Sequence, residues 1–259
     1  MGNFTIGSEG RLTLTGTEAR RLTSEEFKRL VLQGAPRVAV FDCDGTLWGG
    51  DAGYGFMAWS MEQGLVSRST SDRMDTRYRE YLAGKVSEVQ ICADMVQMYA
   101  GLREQELREA ATRYVDEFVR GRVFAELAEL IEALRAAGTE LWAVSSTNQW
   151  VVRQGVGGFA IPEERILAAA VAVDGGTITS RLLRVPTDEA KAEALAGVGL
   201  TRPDAVFGNS IHDLAMLETA IHPFPVNPSP ALLKAAAKNG WSYLRPAEAE
   251  GQEAAVGGE

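Results

Sequence analysis

The chain has 259 residues, of which 46% are hydrophobic, and a formal net charge of −9 at pH 7. That length and hydrophobic content are enough for one large domain with room for an insertion. The acidic balance, without a block of lysines or arginines, argues against nucleic acid or an anionic membrane surface as a partner.

The first residues, MGNFTIGSEGRLTLTG, are polar and show neither the basic nor the apolar region of a signal peptide. No later stretch reaches the roughly 18 uninterrupted apolar residues of a membrane span. The two cysteines, Cys43 and Cys92, are isolated and lack metal-ligand spacing, so we expect buried thiols and no disulfide framework. These features predict a soluble, cytoplasmic protein.

Residues 1–36 are predicted to form an N-terminal extension, in which Thr23 caps a short helix with Glu26 at the capping-box position. A buried strand, VAVF, follows and ends in the acidic sequence DCDGT. From 50 to 121, apolar residues recur at intervals of three and four, and glycines mark the breaks. This segment is predicted to be an all-helical insertion.

Beyond residue 121, helices and strands alternate along the chain. FAELAELIEALRAAG is a predicted helix, ELWAVSSTN a strand, the region around Asp174 to Gly176 a hairpin, and DAVFGNS another buried strand. The alternation predicts an α/β fold, a doubly wound, Rossmann-like parallel sheet built from 37–49 and 122–246. The low-complexity acidic tail, 247–259, is predicted to be disordered.

Polar side chains follow the predicted strands. Asp42 and Asp44 come directly after the first strand, and because successive side chains alternate, both point to the same side. Further polar residues end other strands or begin helices: Ser145, Lys191, Asn209 and Asp213. We expect all of them to converge at the carboxyl edge of the sheet, where doubly wound folds bind their ligands.

These residue types suit phosphoryl transfer. One carboxylate can attack phosphorus and form a covalent intermediate, which divides the displacement into two steps. A second carboxyl group on the same face can protonate the leaving oxygen and later accept a proton from water. A hydroxyl and an ammonium can hold phosphate oxygens, and oxygen ligands from another loop can help to bind Mg²⁺.

In order and context, DCDGT, the serine of AVSS, the lysine of DEAKAEAL and GNSIHD resemble the four motifs of the haloacid dehalogenase superfamily. The resemblance is to its phosphoserine-phosphatase-like branch, which carries a helical C1-type cap between the first two motifs, and 50–121 corresponds to that cap. It implies a Mg²⁺-dependent phosphatase that hydrolyses a small-molecule phosphomonoester through an aspartyl-phosphate. A monomer or homodimer is expected.

The resemblance also implies residue roles. Asp42 would be the nucleophile and a metal ligand, and Asp44 the acid/base, with its backbone carbonyl on the metal. Ser145 and Lys191 would bind phosphate. The remaining implied positions are Gly45 and Thr46 in the phosphate loop and Asn209 and Asp213 as metal ligands. Asn209 stands where the family has an aspartate, so we expect weaker Mg²⁺ binding without its loss.

Residues at the start of the predicted cap indicate which class of substrate is bound. Asp51 stands about where an acidic residue of the phosphoserine phosphatases contacts the substrate's amino group, but an aspartate there equally caps a helix. Trp48 and its aromatic neighbours are more typical of a core, yet an indole beside Asp51 would suit a cationic head group. With Ser146 as a further contact, the candidates are phosphoserine, phosphocholine and phosphoethanolamine.

Rival interpretations remain open at this stage. A dehalogenase needs no metal and lacks the acid/base two residues after the nucleophile, so Asp44 argues against it. A phosphomutase or another phosphotransferase of the superfamily uses the same motifs. A catalytically weak binding or regulatory member is conceivable because of Asn209. The two histidines, His212 and His222, are expected to take no part in the chemistry, with His212 pointing away from the site.

Overall fold

The computed structural model describes residues 18–249 and, before them, the backbone of two short antiparallel strands, β1 (Phe4–Ile6) and β2 (Leu12–Leu14). Within these residues, none of the helices combines the length and the apolar character that crossing a membrane requires. Cys43 and Cys92 are both buried free thiols, as predicted.

The remaining strands are β3 (Arg21–Leu22), β4 (Val38–Phe41), β5 (Glu140–Asn148), β6 (Ile166–Asp174), β7 (Thr177–Arg184), β8 (Ala205–Gly208), β9 (His222–Pro225) and β10 (Tyr243–Leu244). The helices are α1 (Ser24–Gln33), α2 (Ala52–Glu62), α3 (Arg68–Leu82), α4 (Glu88–Gln97), α5 (Glu104–Tyr114), α6 (Ala125–Ala136), α7 (Gln149–Val156), α8 (Glu189–Gly197), α9 (Leu214–Thr219) and α10 (Pro230–Asn239).

Six strands form the central sheet in the order β7-β6-β5-β4-β8-β9. All neighbours are parallel except β7, which pairs antiparallel with β6. The chain runs from β4 outward through β5 and β6 and then returns to the other side of β4 with β8. The order therefore reverses beside β4, and the crevice at its carboxyl end is the place where such sheets bind ligands. The predicted doubly wound sheet is confirmed.

The hairpin between β6 and β7 is also confirmed. Gly175 and Gly176 have φ values of +56° and +77°, and a tight two-residue turn between twisted strands needs positive φ at both positions. Side chains other than glycine rarely adopt that conformation. The dipeptide in the sequence therefore determines both the position and the type of the turn.

The segment predicted as the insertion is mainly helical. It contains α2 to α5, then a π-turn (Val115–Val119) and a 3₁₀ turn (Arg120–Arg122), and an isolated bridge joins Trp48 and Val123 at its root. Its buried apolar side chains, among them Met74, Ile91 and Tyr99, join the same hydrophobic cluster as the sheet. The helices are thus packed on the core.

The predicted N-terminal extension is in part an element of the core. Helix α1 begins with the predicted capping box between Thr23 and Glu26, and it buries Phe27 and Val31. Strand β3 pairs in parallel with β10 near the end of the chain. Apart from the backbone of β1 and β2, residues before 18 lie outside the described residues, and so does the tail beyond 249 with its predicted disorder. Within the tail, Ala247 is placed, and its amide donates to Glu126 Oε1.

Candidate active site

Asp42 lies at the carboxyl end of β4 and continues its pairing with β8, because its amide donates to the carbonyl oxygen of Phe207 at 2.9 Å. Lys191 Nζ, from α8, donates to Asp42 Oδ1 at 2.7 Å and to Asp213 Oδ1 at 2.5 Å. All three side chains are buried. The structure thus joins three of the four motifs through one buried ammonium group.

The second oxygen of Asp42 accepts a hydrogen bond from Thr46 Oγ1 at 2.8 Å. Burial, followed by the charge of Asp213, raises the pKa of Asp42 to about 7, although Lys191 and Thr46 act in the opposite direction. The cause is that burial disfavours the ionised form of a carboxyl group more than one ammonium compensates. An additional positive charge near Asp42 would therefore stabilise its ionised form.

Asp44 is held by three donors. Its Oδ2 accepts from Thr147 Oγ1 at 2.6 Å, and its Oδ1 accepts from Trp48 Nε1 at 2.6 Å and from the amide of Ala52 at 3.0 Å. Burial, with the charge of Asp51 next, raises the pKa of Asp44 to about 6. A general acid works best when its pKa lies near the working pH, so this carboxyl group is suited to exchange a proton.

The carboxylate of Asp213 accepts hydrogen bonds from the loop after β8. Its Oδ2 accepts from the amides of Asn209 and Ser210, each at 2.9 Å, while its Oδ1 accepts from Lys191. The side chain is 1% exposed. Both oxygens of Asp213 thus accept hydrogen bonds from the protein and hold Lys191 and the loop at Asn209 in place, and metal ligation by Asp213 stays a prediction.

Asn209 approaches the phosphate loop closely. Gly45 has a φ of +74°, and a Cβ added there would lie 1.9 Å from Asn209 Nδ2. Only glycine permits both the backbone conformation and this approach. Gly45 thus brings the loop after β4 against the loop after β8, as the two loops must be if they share a ligand.

A cleft of about 380 Å³ opens over these groups. The predicted residues that line it are Asp42, Asp44, Asp51, Ser145, Ser146, Lys191 and Asn209. Ser145 ends the parallel pairing of β5 before a register shift, and its Oγ accepts from the amide of Thr147 at 3.2 Å. Asp51 caps α2 by accepting from the amide of Tyr54 at 2.8 Å and lines the cleft as well. Asp51 can therefore both cap α2 and face a substrate in the cleft.

Trp48 does not have the predicted role of a substrate contact. Of the two interpretations of Trp48, a core side chain or a substrate contact, the structure shows the first, because the side chain is fully buried and does not line the cleft. It packs on α7 so tightly that a Cβ on Gly155 would lie 2.7 Å from the ring. Its function in the site is indirect, because its Nε1 holds Asp44. Gly45 and Thr46 likewise shape the loop and do not line the cleft.

The far wall of the cleft comes from the insertion and was not predicted. It contains Tyr78, Tyr81, Leu82, Glu88, Ile91, Cys92 and Met95. His212 also lines the cleft, contrary to expectation, and its Nδ1 lies 2.7 Å from Asp188 Oδ1. Helical periodicity could identify the apolar face of α3 and α4, but it carried no signal for which polar residues would face the nucleophile.

The donor set fits Mg²⁺. Two carboxylates, Asp42 and Asp213, share the buried ammonium of Lys191, and the carboxyl group of Asp44 lines the same cleft, so acidic groups outnumber the cation. Between residues 18 and 249 no three acidic, histidine or cysteine side chains converge as a ready metal cluster. Mg²⁺ does not need one, because it typically binds through one or two carboxylates, waters and substrate phosphate. Asp42, Asn209 and the backbone carbonyl of Asp44 could hold it.

The family model of haloacid dehalogenase-like hydrolases matches residues 39–218. A probable phosphatase of Mycobacterium tuberculosis strain H37Rv is 25% identical over 91% of this chain and 85% of its own. The histidinol-phosphatase of Neisseria meningitidis serogroup C is 24% identical over 80% of this chain and 97% of its own. The solved structure of a substrate-bound phosphoserine phosphatase superposes with a TM-score of 0.55 at 18% identity, covering 81% of this chain and 92% of that one.

Proposed function

Because the chain belongs to the family of haloacid dehalogenase-like hydrolases, we propose that it is a phosphatase that hydrolyses a small phosphomonoester through an aspartyl-phosphate on Asp42. The relatives named as phosphatases support this enzyme class. The observation that carries the proposal is the Lys191 to Asp42 ion pair of 2.7 Å at the floor of a cleft that Asp44 also lines.

In the first step, a carboxylate oxygen of Asp42 attacks phosphorus, the new oxygen–phosphorus bond forms, and the bond to the leaving alcohol breaks. Asp44 gives its proton to the leaving oxygen and becomes a carboxylate. In the second step, Asp44 takes a proton from the attacking water. The bond between Asp42 and phosphorus breaks, inorganic phosphate leaves, and both carboxyl groups return to their starting states.

Other residues hold the transferred group. Ser145 Oγ and Lys191 Nζ, which both line the cleft, are proposed to donate to phosphate oxygens, and the charge of Lys191 favours the ionised form of Asp42. Mg²⁺ bound by Asp42, Asn209 and the Asp44 carbonyl would supply positive charge to the phosphate oxygens as negative charge develops on them. Trp48 and Thr147 orient the acid by binding opposite oxygens of its carboxyl group.

The substrate is proposed to carry an amine, as in phosphoserine or phosphocholine. Asp51 supports this, because a carboxylate in the cleft attracts a cationic group while its second function, capping α2, keeps it in place. The relative named histidinol-phosphatase adds a fourth amine-bearing ester, histidinol phosphate, to phosphoserine, phosphocholine and phosphoethanolamine as esters to be tested.

The test is inorganic phosphate release from a panel of esters, with and without Mg²⁺, by the wild type and Asp42→Asn. The panel contains phosphoserine, phosphocholine, phosphoethanolamine, histidinol phosphate, sugar phosphates and an aryl phosphate. We expect Mg²⁺-dependent release that Asp42→Asn abolishes. Transfer of phosphate within a sugar instead of to water would indicate a mutase. Absence of release from every ester by folded protein would overturn the proposal and favour a binding module.

A further inference from the structure

The segment 50–121 contributes two acidic side chains to the lining of the cleft. Asp51 from the root of the insertion and Glu88 from α4 both line it. Among the described residues that line the cleft, Lys191 is the only lysine or arginine, and it lies at the catalytic end in its ion pairs with Asp42 and Asp213. A bound substrate therefore presents its phosphate to the cationic end and its remainder to two carboxylates.

Glu88 is held in a defined orientation. It begins α4 after the cap residue Ser87, and its side chain is only 18% exposed. Its Oε2 accepts from the Tyr81 hydroxyl at 2.5 Å, and its Oε1 lies 3.5 Å from the Cys92 thiol. The basic group that approaches it is the imidazole of His212, at 4.0 Å, which is already bonded to Asp188. Glu88 is thus a fixed, largely buried carboxylate without a lysine or arginine partner in the cleft.

Aromatic rings flank the two carboxylates. The rings of Tyr78 and Tyr81 lie 5.8 Å apart, and Tyr54 stacks on Tyr78 at 4.3 Å, which holds the Tyr78 ring in its position in the cleft lining. Burial is the main cause that raises the pKa of Tyr78 to about 12, and the charges of Asp51 and Glu88 contribute. Tyrosine faces beside carboxylates form a favourable environment for an ammonium group.

We propose that Glu88 is a specificity-determining residue which, together with Asp51, binds the ammonium group of a phosphorylated amino alcohol and excludes esters that also carry a carboxylate. This rests on the proposed phosphatase function and narrows its substrate class. A substrate carboxylate would be placed beside Asp51 and Glu88, with no lysine or arginine of the described cleft lining to compensate it. Bringing like charges together out of water is unfavourable enough for strong discrimination between esters with and without a carboxylate. Phosphoethanolamine, phosphocholine and histidinol phosphate meet the requirement, and phosphoserine does not.

Three probe esters isolate each group. Ethyl phosphate, phosphoethanolamine and phosphoserine differ in turn by one ammonium and one carboxylate. We would measure kcat/KM for all three with the wild type, with Glu88→Gln, and with Glu106→Gln, a control that removes one exposed carboxylate from α5 of the insertion, away from the cleft. Glutamine keeps the size of Glu88 and can still accept from Tyr81, so the fold of α4 is preserved.

We expect the wild type to prefer phosphoethanolamine to both other esters by about tenfold or more, the value of one charge-assisted hydrogen bond. Glu88→Gln should reduce the ratio of kcat/KM for phosphoethanolamine to kcat/KM for ethyl phosphate by about tenfold. Glu106→Gln should leave that ratio unchanged. Equal kcat/KM values for phosphoserine and phosphoethanolamine, or an unchanged ratio in Glu88→Gln, would overturn the proposed role of Glu88 but not the phosphatase function. Failure of the wild type to hydrolyse any ester, aryl phosphate included, would overturn the phosphatase function with it.

Discussion

Lys191 Nζ lies between two carboxylates, 2.7 Å from Asp42 Oδ1 and 2.5 Å from Asp213 Oδ1, so a single buried ammonium connects the nucleophile to the loop after β8. Asp213 in turn accepts from the amides of Asn209 and Ser210. The position of the candidate metal ligand Asn209 therefore depends on the same network that positions the candidate nucleophile.

Replacing the central cation tests this network. We expect Lys191→Met to lower kcat at least about a hundredfold and to lower the free energy of unfolding by about 3 kcal/mol, because two buried carboxylates lose their partner. Steady-state kinetics and urea unfolding measure both effects. Lys234→Met, which removes an exposed lysine from α10, is the matched control and should change neither. Retention of wild-type kcat by Lys191→Met would contradict the role of Lys191.

Asp42 should reduce the stability of the metal-free protein. Its pKa in the folded state is about 7, above the usual value of 3.8. Ionisation is therefore harder in the folded state than in the unfolded one, and stability falls as the pH rises from about 4 through 7. In EDTA, Asp42→Asn should have a higher Tm than the wild type at pH 8, with the difference disappearing near pH 4. A lower Tm for the variant at pH 8 would show that the Lys191 pair outweighs the cost of burial.

The amide at position 209 predicts a modest affinity for Mg²⁺. Asn209→Asp places a charged oxygen ligand beside Gly45 and should lower the Mg²⁺ concentration needed for half-maximal activity by about tenfold, the effect of one charge-assisted contact. Titration of phosphate release with Mg²⁺ measures it. Asn239→Asp, in the last turn of α10, is the control for added charge. An unchanged Mg²⁺ requirement in Asn209→Asp would place the metal elsewhere.

Trp48 should affect the acid step and not substrate binding. Trp48→Phe keeps an aromatic ring against α7 but removes the indole N–H that donates to Asp44 at 2.6 Å. We expect kcat to fall about tenfold, the value of a lost hydrogen bond to a charged group, with KM nearly unchanged. Trp59→Phe, which alters an aromatic ring of α2, should leave kcat near the wild-type value. A selective rise in KM for amine-bearing esters in Trp48→Phe would restore Trp48 as a substrate contact.

Much of the architecture follows from local patterns. The alternation of strands and helices predicted the doubly wound sheet, Gly175 and Gly176 predicted the hairpin, and Thr23 with Glu26 predicted the start of α1. These features could be predicted because each depends on residues close together in the chain. The docking of α1 and β3 onto the core could not, since it depends on pairing with β10 at the opposite end of the described chain.

The sequence by itself determined which groups stand at the strand ends, because Asp42 and Asp44 follow β4 directly and are two residues apart, and parallel strands present their carboxyl ends to one edge. Only the tertiary structure decided which contacts these groups make. Trp48 donates to Asp44, Asp213 accepts from the loop after β8, and Glu88 lines the cleft. Hydrophobic periodicity specifies the face that a helix buries, but not the neighbour onto which it packs. That packing forms the wall of the cleft that contains Glu88, and it is there that we propose the substrate is selected.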